Sequence, residues 1–485
     1  MVAETSGVEE VNAEGSRRTF ELQHGPFASY SRTLEVSGGG EGADGEFDVI
    51  ETYDYRLDIP YFGIIFRLPI RRALRTHRHV ATQPWWSPPD RMDQRAAGVL
   101  GTLAAAAVLT GFLGTLFGQT LTFAADEFEI SRTTQGIASA VVRLAPILAI
   151  ALVVVADNKG RRRIAVVATF GGAIGSAVAG ISPELFSFVA AQTVSRTFSA
   201  ALGTVILVYI VEEMPKGARA YALSLVGMAS ALGAGMVLWF LPIADLGERG
   251  WRVVYLVPVL AIPLGLDLAK RLPESQRFGK GADDTSVRSH LGPLLLLGAI
   301  TFLIAFYLSP ADQFRNEYLR DERGFSATGV SLFVLSTATP GGIGLMIAGR
   351  LADVVGRKIV LGVAATVGLG ALTLVFNTSG VAMWVLALTA ATLSSGLLPA
   401  LGVYRGELFP NRIRNRAVGW VSVAGVAGSV SGVLLTGWLS DRWDNIGSVI
   451  ALLWIAPLAA IVIAFFKLPE TSRRDLNELN PIDAD

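Results

Sequence analysis

The stretch "GRLADVVGRK", Gly349 to Lys358, clusters charged residues between two long apolar runs. A related stretch, "VVVADNKGRRR", runs from Val153 to Arg163 and again separates two apolar runs. The residues that the two stretches share stand 196 positions apart: Asp157 and Asp353, Gly160 and Gly356, Arg161 and Arg357. A constant offset between matching motifs indicates an internal duplication of the chain.

Two further pairs of motifs repeat at nearly the same distance. The strings "LPESQR" and "LPETSR" match 196 positions apart, with Pro273 opposite Pro469. The strings "EEMPKGAR" and "ELFPNRIR" match at three positions, each 195 apart: Glu212 and Glu407, Pro215 and Pro410, Arg219 and Arg414. Because three separate motifs repeat at offsets of 195 or 196 positions, we predict that the chain contains two copies of one structural unit.

The composition favours a membrane protein. The 485-residue chain is 51% hydrophobic and 17% charged, with a mean hydropathy of +0.48, whereas soluble domains contain about 25% charged residues. A formal net charge of zero gives no basis for a nucleic-acid partner. The chain has no cysteine, and its four histidines lie outside the long apolar runs. We therefore predict no metal site, no cofactor and no enzymatic activity.

Twelve apolar stretches have about the length that a membrane-spanning helix needs. The loops on the side of the N-terminal extension carry more Lys and Arg than the opposite loops, so we predict that both termini are cytoplasmic and that the protein lies in the plasma (inner) membrane. The twelve stretches are 96–123, 133–156, 163–181, 184–211, 220–242, 250–269, 291–311, 326–348, 359–377, 381–404, 416–438 and 447–467.

This pattern predicts an all-α membrane fold with an added N-terminal segment. Residues 1–45 are acidic and rich in Gly, Ser and Glu, which is typical of disorder. Residues 59–86 combine a short apolar run, several arginines and a Trp-Trp pair, so we predict an interfacial segment on anionic lipids of the inner leaflet. The predicted units are an extension (1–94), a six-helix bundle (95–270), a linker (271–290), a second six-helix bundle (291–467) and a tail (468–485).

The motifs resemble those of the major facilitator superfamily. The string "GRLADVVGRK" matches the hallmark of that family between helices two and three and between helices eight and nine. The Glu-x-x-Pro-x-x-x-Arg loops and the "PES" and "PET" strings look most like its sugar-porter branch. The resemblance implies twelve helices arranged as two parallel six-helix repeats that rock about a central cavity. It also implies a monomer that binds a small-molecule solute.

The resemblance also implies a role for the charged loops. In the family they form a cytoplasmic gate that holds the two halves together while the cavity faces outward. The alternative interpretation is ordinary positive charge on inner loops, which needs no pairing. The candidate gate residues are Asp157, Gly160, Arg161, Glu212, Arg219, Gly349, Asp353, Gly356, Arg357, Glu407 and Arg414.

Two arginines fall near the middle of predicted helices. Arg143 and Arg196 each lie far from both helix ends, where an unpaired charge costs at least about 2.5–3.5 kcal/mol. They are candidates to bind an anionic solute, and a structural role with backbone carbonyls is the alternative. Trp384 and Trp420 are candidates to line the same cavity, with packing as the alternative. Asp312 is the candidate for proton coupling, so protons are a further candidate partner.

The sequence thus predicts a secondary active or facilitative transporter that moves a small organic solute, with an anion as one candidate, by alternating access. Three alternatives stay open at this stage. The protein could be a sugar or polyol porter, an exporter of drugs or amphiphiles, or a non-transporting receptor or scaffold built on a transporter fold.

Overall fold

A computed structural model of the protein describes residues 8–14, 17–22, 26–37, 48–75, 92–215, 218–272, 291–397, 400–401, 404, 408–409 and 411–469. A small antiparallel sheet comes first in the chain, and a short helix, Gly63–Arg75, follows it. A long bundle of apolar helices makes up the rest of the described chain. We number the membrane-spanning stretches of this bundle as spans 1 to 12 in chain order.

The first half of the bundle contains spans 1 to 6. Spans 1, 3 and 4 are single helices: Gln94–Glu127, Arg161–Gly180 and Leu185–Glu213. Span 2 is made of two helices, Arg132–Val142 and Ala145–Lys159. Span 5 is the helix Arg219–Phe240 with the 3₁₀ turn Leu241–Leu246. Span 6 joins Gly250–Val254, Val257–Ala261 and Ile262–Arg271.

The second half contains spans 7 to 12. Span 7 is Leu291–Glu317 with a π turn, Tyr318–Glu322, and span 8 is Ala327–Ala338 with Pro340–Val354. Span 9 joins Arg357–Val363, Ala364–Gly368 and Leu369–Val375. Spans 10 and 11 are Gly380–Ser394 and Asn411–Trp443, and span 12 joins Ile446–Leu453 and Ile455–Lys467.

Eleven of these stretches are long and apolar enough to cross a membrane, and span 10 is a shorter apolar helix in the described residues. The prediction of twelve membrane helices is therefore confirmed. We call the side of the bundle where span 1 begins the Gln94 end, and the side where it finishes the Glu127 end. Spans 2, 8 and the other even-numbered spans start at the Glu127 end, since consecutive spans run in opposite directions.

Proline interrupts the second span of each half. Pro146 has no N–H to donate to the carbonyl of Val142. The first helix of span 2 ends at Val142. Pro340 likewise starts the second helix of span 8, directly after a break at Thr339. These breaks leave span 2 and span 8 each in two pieces. The break in span 2 places Arg143 at a helix end deep inside the bundle.

Glycines allow two pairs of spans to cross at backbone contact. A Cβ atom placed on Gly233 of span 5 would lie 1.9 Å from the backbone oxygen of Val108 in span 1. A Cβ atom placed on Gly432 of span 11 would lie 2.0 Å from the backbone oxygen of Phe306 in span 7. Small residues at such crossings let helices pack closely in lipid. A close helix crossing at a glycine therefore occurs in both halves of the chain.

The prediction of disorder for residues 1–45 is wrong for the strands in that region. A four-stranded antiparallel meander contains β1 (Val8–Glu14), β2 (Arg17–Leu22), β3 (Phe27–Ser37) and β4 (Asp48–Leu57). The region is rich in Gly and in acidic residues. That average conceals a period-two alternation in β3 and β4, and alternation is the pattern that specifies a strand.

One face of the sheet holds aromatic residues around a partly buried ion pair. Arg32 of β3 donates to the carboxylate of Glu51 on β4, and Tyr53 donates its hydroxyl to the same carboxylate at 2.7 Å. Burial and this hydrogen bond raise the pKa of Tyr53 well above its usual range. The ring of Tyr30 lies nearby, tilted by 60° to that of Tyr53, with the two ring centroids 6.4 Å apart. Cross-strand contacts of this kind stabilise the register between β3 and β4.

The residues after β4 attach the sheet to the Gln94 end. Gln94 donates to Asp58 at 2.8 Å, and Tyr61 donates to Asp267 of span 6 at 3.0 Å. Partial burial and the bond to Asp267 raise the pKa of Tyr61 to about 12, so this donor stays protonated at neutral pH. Pro60 packs so closely on Gly101 that a Cβ atom there would lie 2.9 Å from its ring.

The helix Gly63–Arg75 follows this attachment and exposes apolar side chains beside arginines. Ile64 is 88% exposed and Leu68 is 60% exposed, while Ile70 is buried. Contact of this helix with anionic lipid stays a prediction. The remainder of the predicted interfacial segment, residues 76–86, lies outside the described residues.

The glycine crossing in span 5 leads to a direct test. Gly233→Ala should destabilise the protein by ~1–3 kcal/mol, because the added methyl group would collide with the backbone of span 1. Gly235→Ala is the matched control on the same helix, since nothing lies within 4 Å of its Cβ position. Thermal unfolding of the purified variants measures the difference. Equal stability of the two variants would contradict the close crossing.

Candidate functional site

Arg143 links the two halves in the middle of the bundle. It lies at the break in span 2 and is half-buried. Its Nη1 donates to the hydroxyl of Ser429 in span 11 at 2.9 Å, and its Nη2 donates to the carbonyl of Ser309 in span 7 at 3.3 Å. Its Nε is buried without a hydrogen-bond partner. The side chain therefore has neutral acceptors but retains a donor that is not used.

Arg196 lies on span 4 and is also half-buried. Among the residues that the structure describes, it forms no hydrogen bond and no ion pair. Arg143 is close enough for its charge to act on Arg196, and the two charges repel each other. A charge within a membrane bundle is expensive unless something compensates it. The pair is therefore suited to attract an anion.

Asp312 is the acidic residue that acts on Arg143. Its carboxylate attracts Arg143 electrostatically. Its side chain is 57% exposed, and its nearest cation is Arg315 on the same helix, with Nη1 3.5 Å away. One exposed carboxylate cannot neutralise two arginines, so positive charge remains in the centre of the bundle. The proton-coupling role that we predict for Asp312 stays a prediction.

The two candidate tryptophans have different positions. Trp384 of span 10 packs edge-on against Phe333 of span 8, with ring centroids 4.8 Å apart. Trp420 of span 11 is 61% exposed. It precedes Ser429 by nine residues, so on an ideal helix it points away from the side that contacts Arg143. Their roles in solute binding stay predictions, and neither enters the site described below.

Two aspartates close the Glu127 end by capping helices of the opposite half. Asp441 of span 11 accepts from the backbone N–H groups of Arg132 and Thr133, at 2.9 and 2.8 Å, where span 2 begins. Asp245 at the end of span 5 accepts from the backbone N–H groups of Ala327 and Thr328, at 2.8 and 2.9 Å, where span 8 begins. Each half therefore supplies an acceptor for free N–H groups of the other.

Ion pairs add to these caps between the halves. Arg132 Nε donates to Glu317 Oε1 of span 7 at 2.8 Å, and Arg132 Nη1 lies 3.2 Å from Asp444. Arg320 donates to Asp126 of span 1 at 2.6 Å. Together with the caps, these contacts hold the Glu127 end closed in this structure.

The residues of this closure were missed in the sequence analysis, although the sequence contains a signal for them. Asp245 and Asp441 stand 196 positions apart, which is the offset of the repeated loop motifs. Ser131 and Ser326 stand 195 apart, and their hydroxyls accept from Thr134 N and Gly329 N as the N-caps of spans 2 and 8. Extending the repeat comparison to the opposite loops would have found both pairs.

The predicted gate lies at the Gln94 end. Gly160 and Gly356 precede spans 3 and 9 with φ of 100° and 124°, a conformation that favours glycine. Arg357 is buried, and Arg161 is half-buried. The gate itself stays a prediction. The candidates outside the described residues, or with side chains outside them, are Asp157, Glu212, Arg219, Gly349, Asp353, Glu407 and Arg414.

The chain is similar to known transporters. A benzoate transport protein of Acinetobacter baylyi is 23% identical over 273 residues, which are 48% of this chain. The match spans 58% of that relative, which is less than two thirds of its length.

Two solved structures share the fold. One is a bacterial homologue of the human lysosomal transporter Spinster, in an inward-facing and unoccupied conformation, with a TM-score of 0.64 and 16% identity over 77% of this chain and 95% of that chain. The other is the xylose transporter XylE from E. coli in an inward open conformation, with a TM-score of 0.64 and 18% identity over 80% of this chain and 99% of that chain.

The sequence model of one family covers most of the bundle. It matches the chain twice, at residues 103–315 and at residues 294–482, so each half of the duplicated fold is recognised separately. These matches cover more than half of the chain and agree with the repeated loop motifs. The chain belongs to the Major Facilitator Superfamily.

Proposed function

We propose that this membrane transporter carries a small organic anion, a carboxylate in the first place, by alternating access between its two halves. Arg196 is the observation that carries the proposal. Its guanidinium has no hydrogen bond or ion pair among the described residues, and a second arginine lies near it. A bound carboxylate would supply the charge that the described protein lacks at this place.

The geometry also suggests how such a solute would act on the two halves. Arg196 belongs to the first half, and Arg143 reaches from the first half to Ser429 and Ser309 of the second. A carboxylate between the arginines would reduce their repulsion and could use the free Nε of Arg143. Solute binding and contact between the halves would then depend on the same side chain.

The relatives support this proposal within limits. The Acinetobacter baylyi relative is a benzoate transport protein, and benzoate is an aromatic carboxylate. XylE shares the fold and carries xylose, a neutral sugar. A neutral sugar in this protein would leave the charge of Arg196 uncompensated, so we favour the anion over the sugar or polyol.

The state of the structure fits one step of the proposed cycle. With the Gln94 end on the cytoplasmic side, as the distribution of positive residues predicts, closure of the Glu127 end corresponds to an inward-facing state. The two solved neighbours are in inward-facing and inward open conformations as well. The monomeric state and the contact with anionic lipids are also part of this proposal.

Removing one arginine charge tests the proposed solute class. Arg196→Gln should weaken binding of a carboxylate by about 1.5–3 kcal/mol, or roughly 10- to 150-fold, because one charge-assisted contact is lost. Benzoate and its neutral amide, benzamide, are the first probes, followed by aliphatic carboxylates and their amides. Binding to the purified protein and uptake into proteoliposomes are the measurements.

A second arginine provides the control for this test. Arg249→Gln removes a charge that is 82% exposed at the Glu127 end, and it should leave binding unchanged. Arg143→Gln should weaken binding and also loosen the halves, and its effect should not add to that of Arg196→Gln if both hold one group. A preference of the parent protein for the neutral or cationic probes would refute the anion.

The predicted gate at the Gln94 end has its own test. Asp353→Asn should favour states that are open at this end, because the substitution removes a charge from the proposed network between the halves. A single cysteine at Thr193, one turn before Arg196, should then react faster with an impermeant maleimide applied from the Gln94 side. Asp353→Glu keeps the charge and should behave like the parent. An unchanged reaction rate in Asp353→Asn would remove support for the gate.

A further inference from the structure

Glu317 is a buried carboxylate that the proposed solute site does not use. It is the last residue of the main helix of span 7, and 3% of its surface is exposed. Its Oε1 accepts from Arg132 Nε at 2.8 Å. Its Oε2 is buried and has no hydrogen-bond partner among the described residues. The amide of Gln135, which is neutral, also acts on this carboxylate, but Oε2 has lost its water without gaining a charged donor or a hydrogen bond of normal geometry.

Glu317 lines a pocket of about 290 Å³. Its walls come from spans 1, 2, 7 and 11, so the pocket lies between the halves at the Glu127 end. The charged residues that line it are Asp126, Arg132, Glu317, Asp321, Asp441 and Asp444. Arg320 of span 7 pairs with Asp126, one of these lining residues. Acidic groups outnumber basic ones here, which favours a positive ligand.

The other acidic groups of the pocket are already compensated or in contact with solvent. Asp441 caps span 2, and Asp126 pairs with Arg320. The side chain of Asp444 is 96% exposed, and Asp321 is exposed as well. Glu317 alone among the pocket's described carboxylates is almost fully buried with an unused oxygen. A buried carboxylate oxygen without a partner can bind a proton and needs no further ligand to do so, so a proton is the positive ligand that we consider.

We propose that Glu317 is a proton-binding site and that a proton taken up from the Glu127 side stabilises closure of that end. When the end opens, Glu317 faces water and is readily ionised. When it closes, the carboxylate is buried against one arginine that Asp444 also shares. Burying a charge is unfavourable unless the charge is fully paired. A proton on Oε2 removes that cost, while Oε1 still accepts from Arg132.

This inference deepens the proposed transport cycle, because it assigns a proton to one of its steps, but it does not depend on the charge of the solute. It also provides a second candidate besides Asp312 for the group that couples transport to protons. Asp312 is 57% exposed in its side chain, whereas Glu317 changes its environment when the halves close.

The test measures closure of the Glu127 end against pH without any solute. The chain has no cysteine, so single cysteines report without background. Ala125→Cys places a thiol in the pocket wall, where the residue is 5% exposed, and Glu129→Cys gives an exposed reference at the same end. Maleimide labelling of the purified protein in nanodiscs is followed from pH 8 to pH 5. The rate at position 125 is divided by the rate at position 129 to remove most of the thiol's own pH dependence.

In the parent, this ratio should fall about fivefold or more as the pH is lowered, because the proton favours the closed state. Glu317→Gln resembles the protonated side chain, so its ratio should be low at every pH. Asp321→Asn neutralises a neighbouring carboxylate of the same pocket and should keep the response of the parent.

Three results would overturn the assignment: a ratio in the parent that is flat or rises in acid, an unchanged response in Glu317→Gln, or loss of the response in Asp321→Asn. If Glu317→Gln does not fold, as shown by size-exclusion chromatography, Glu317→Asp replaces it. That variant should titrate at a pH different from the parent, and an identical profile would refute the proposal. Failure of the anion-binding test would leave this result unaffected.

Discussion

Closure of the Glu127 end depends on hydrogen bonds between the halves. In each half, backbone N–H groups at the start of a helix donate to a carboxylate of the other half. Spans 2 and 8 begin at this end, and the first N–H groups of a helix have no partner within it. Asp441 and Asp245 accept from those groups across the boundary between the halves. A helix cap contributes about 0.5–2 kcal/mol. Separation of the halves must therefore replace two caps with water, and this requirement gives the closed state a defined geometry.

The central arginines lie on the same framework as these caps. Span 2 carries the capped residues Arg132 and Thr133 at one end and Arg143 at its break. Span 11 carries Asp441 and Ser429, which contact those two places. The contact between spans 2 and 11 thus runs from the outer surface of the bundle to its centre. A solute that binds Arg143 would act on the helix pair that closes the Glu127 end.

Much of this architecture could be predicted from the sequence, since helix length, hydropathy and a repeat offset are local properties. The offset of 196 positions identified two halves, and Gly160 and Gly356 have the positive φ that such loops need. Arg143 and Arg196 were found because a charge within an apolar run is conspicuous. Ser429 and Ser309, the partners of Arg143, were not predictable, because many serines occur in these helices and the tertiary structure selects among them.

Two features could be identified only from the structure. The sheet of residues 8–57 was hidden by a composition typical of disorder, because strand alternation in β3 and β4 is short and lies between Gly-rich segments. Glu317 looked like one of many charges near a helix end. Its burial follows from the packing of spans 1, 2, 7 and 11 around it, and no pattern within span 7 indicates that packing.

Distance measurements between spin labels at both ends of the bundle test the central claim most directly. One pair, at Glu129 and Ser379, would span the halves at the Glu127 end, and a second pair, at Arg163 and Val355, would span them at the Gln94 end. In the double variant Asp245→Ala and Asp441→Ala, alternating access predicts a longer distance at the Glu127 end and a shorter one at the Gln94 end. Unchanged distances, or an increase at both ends together, would contradict the account.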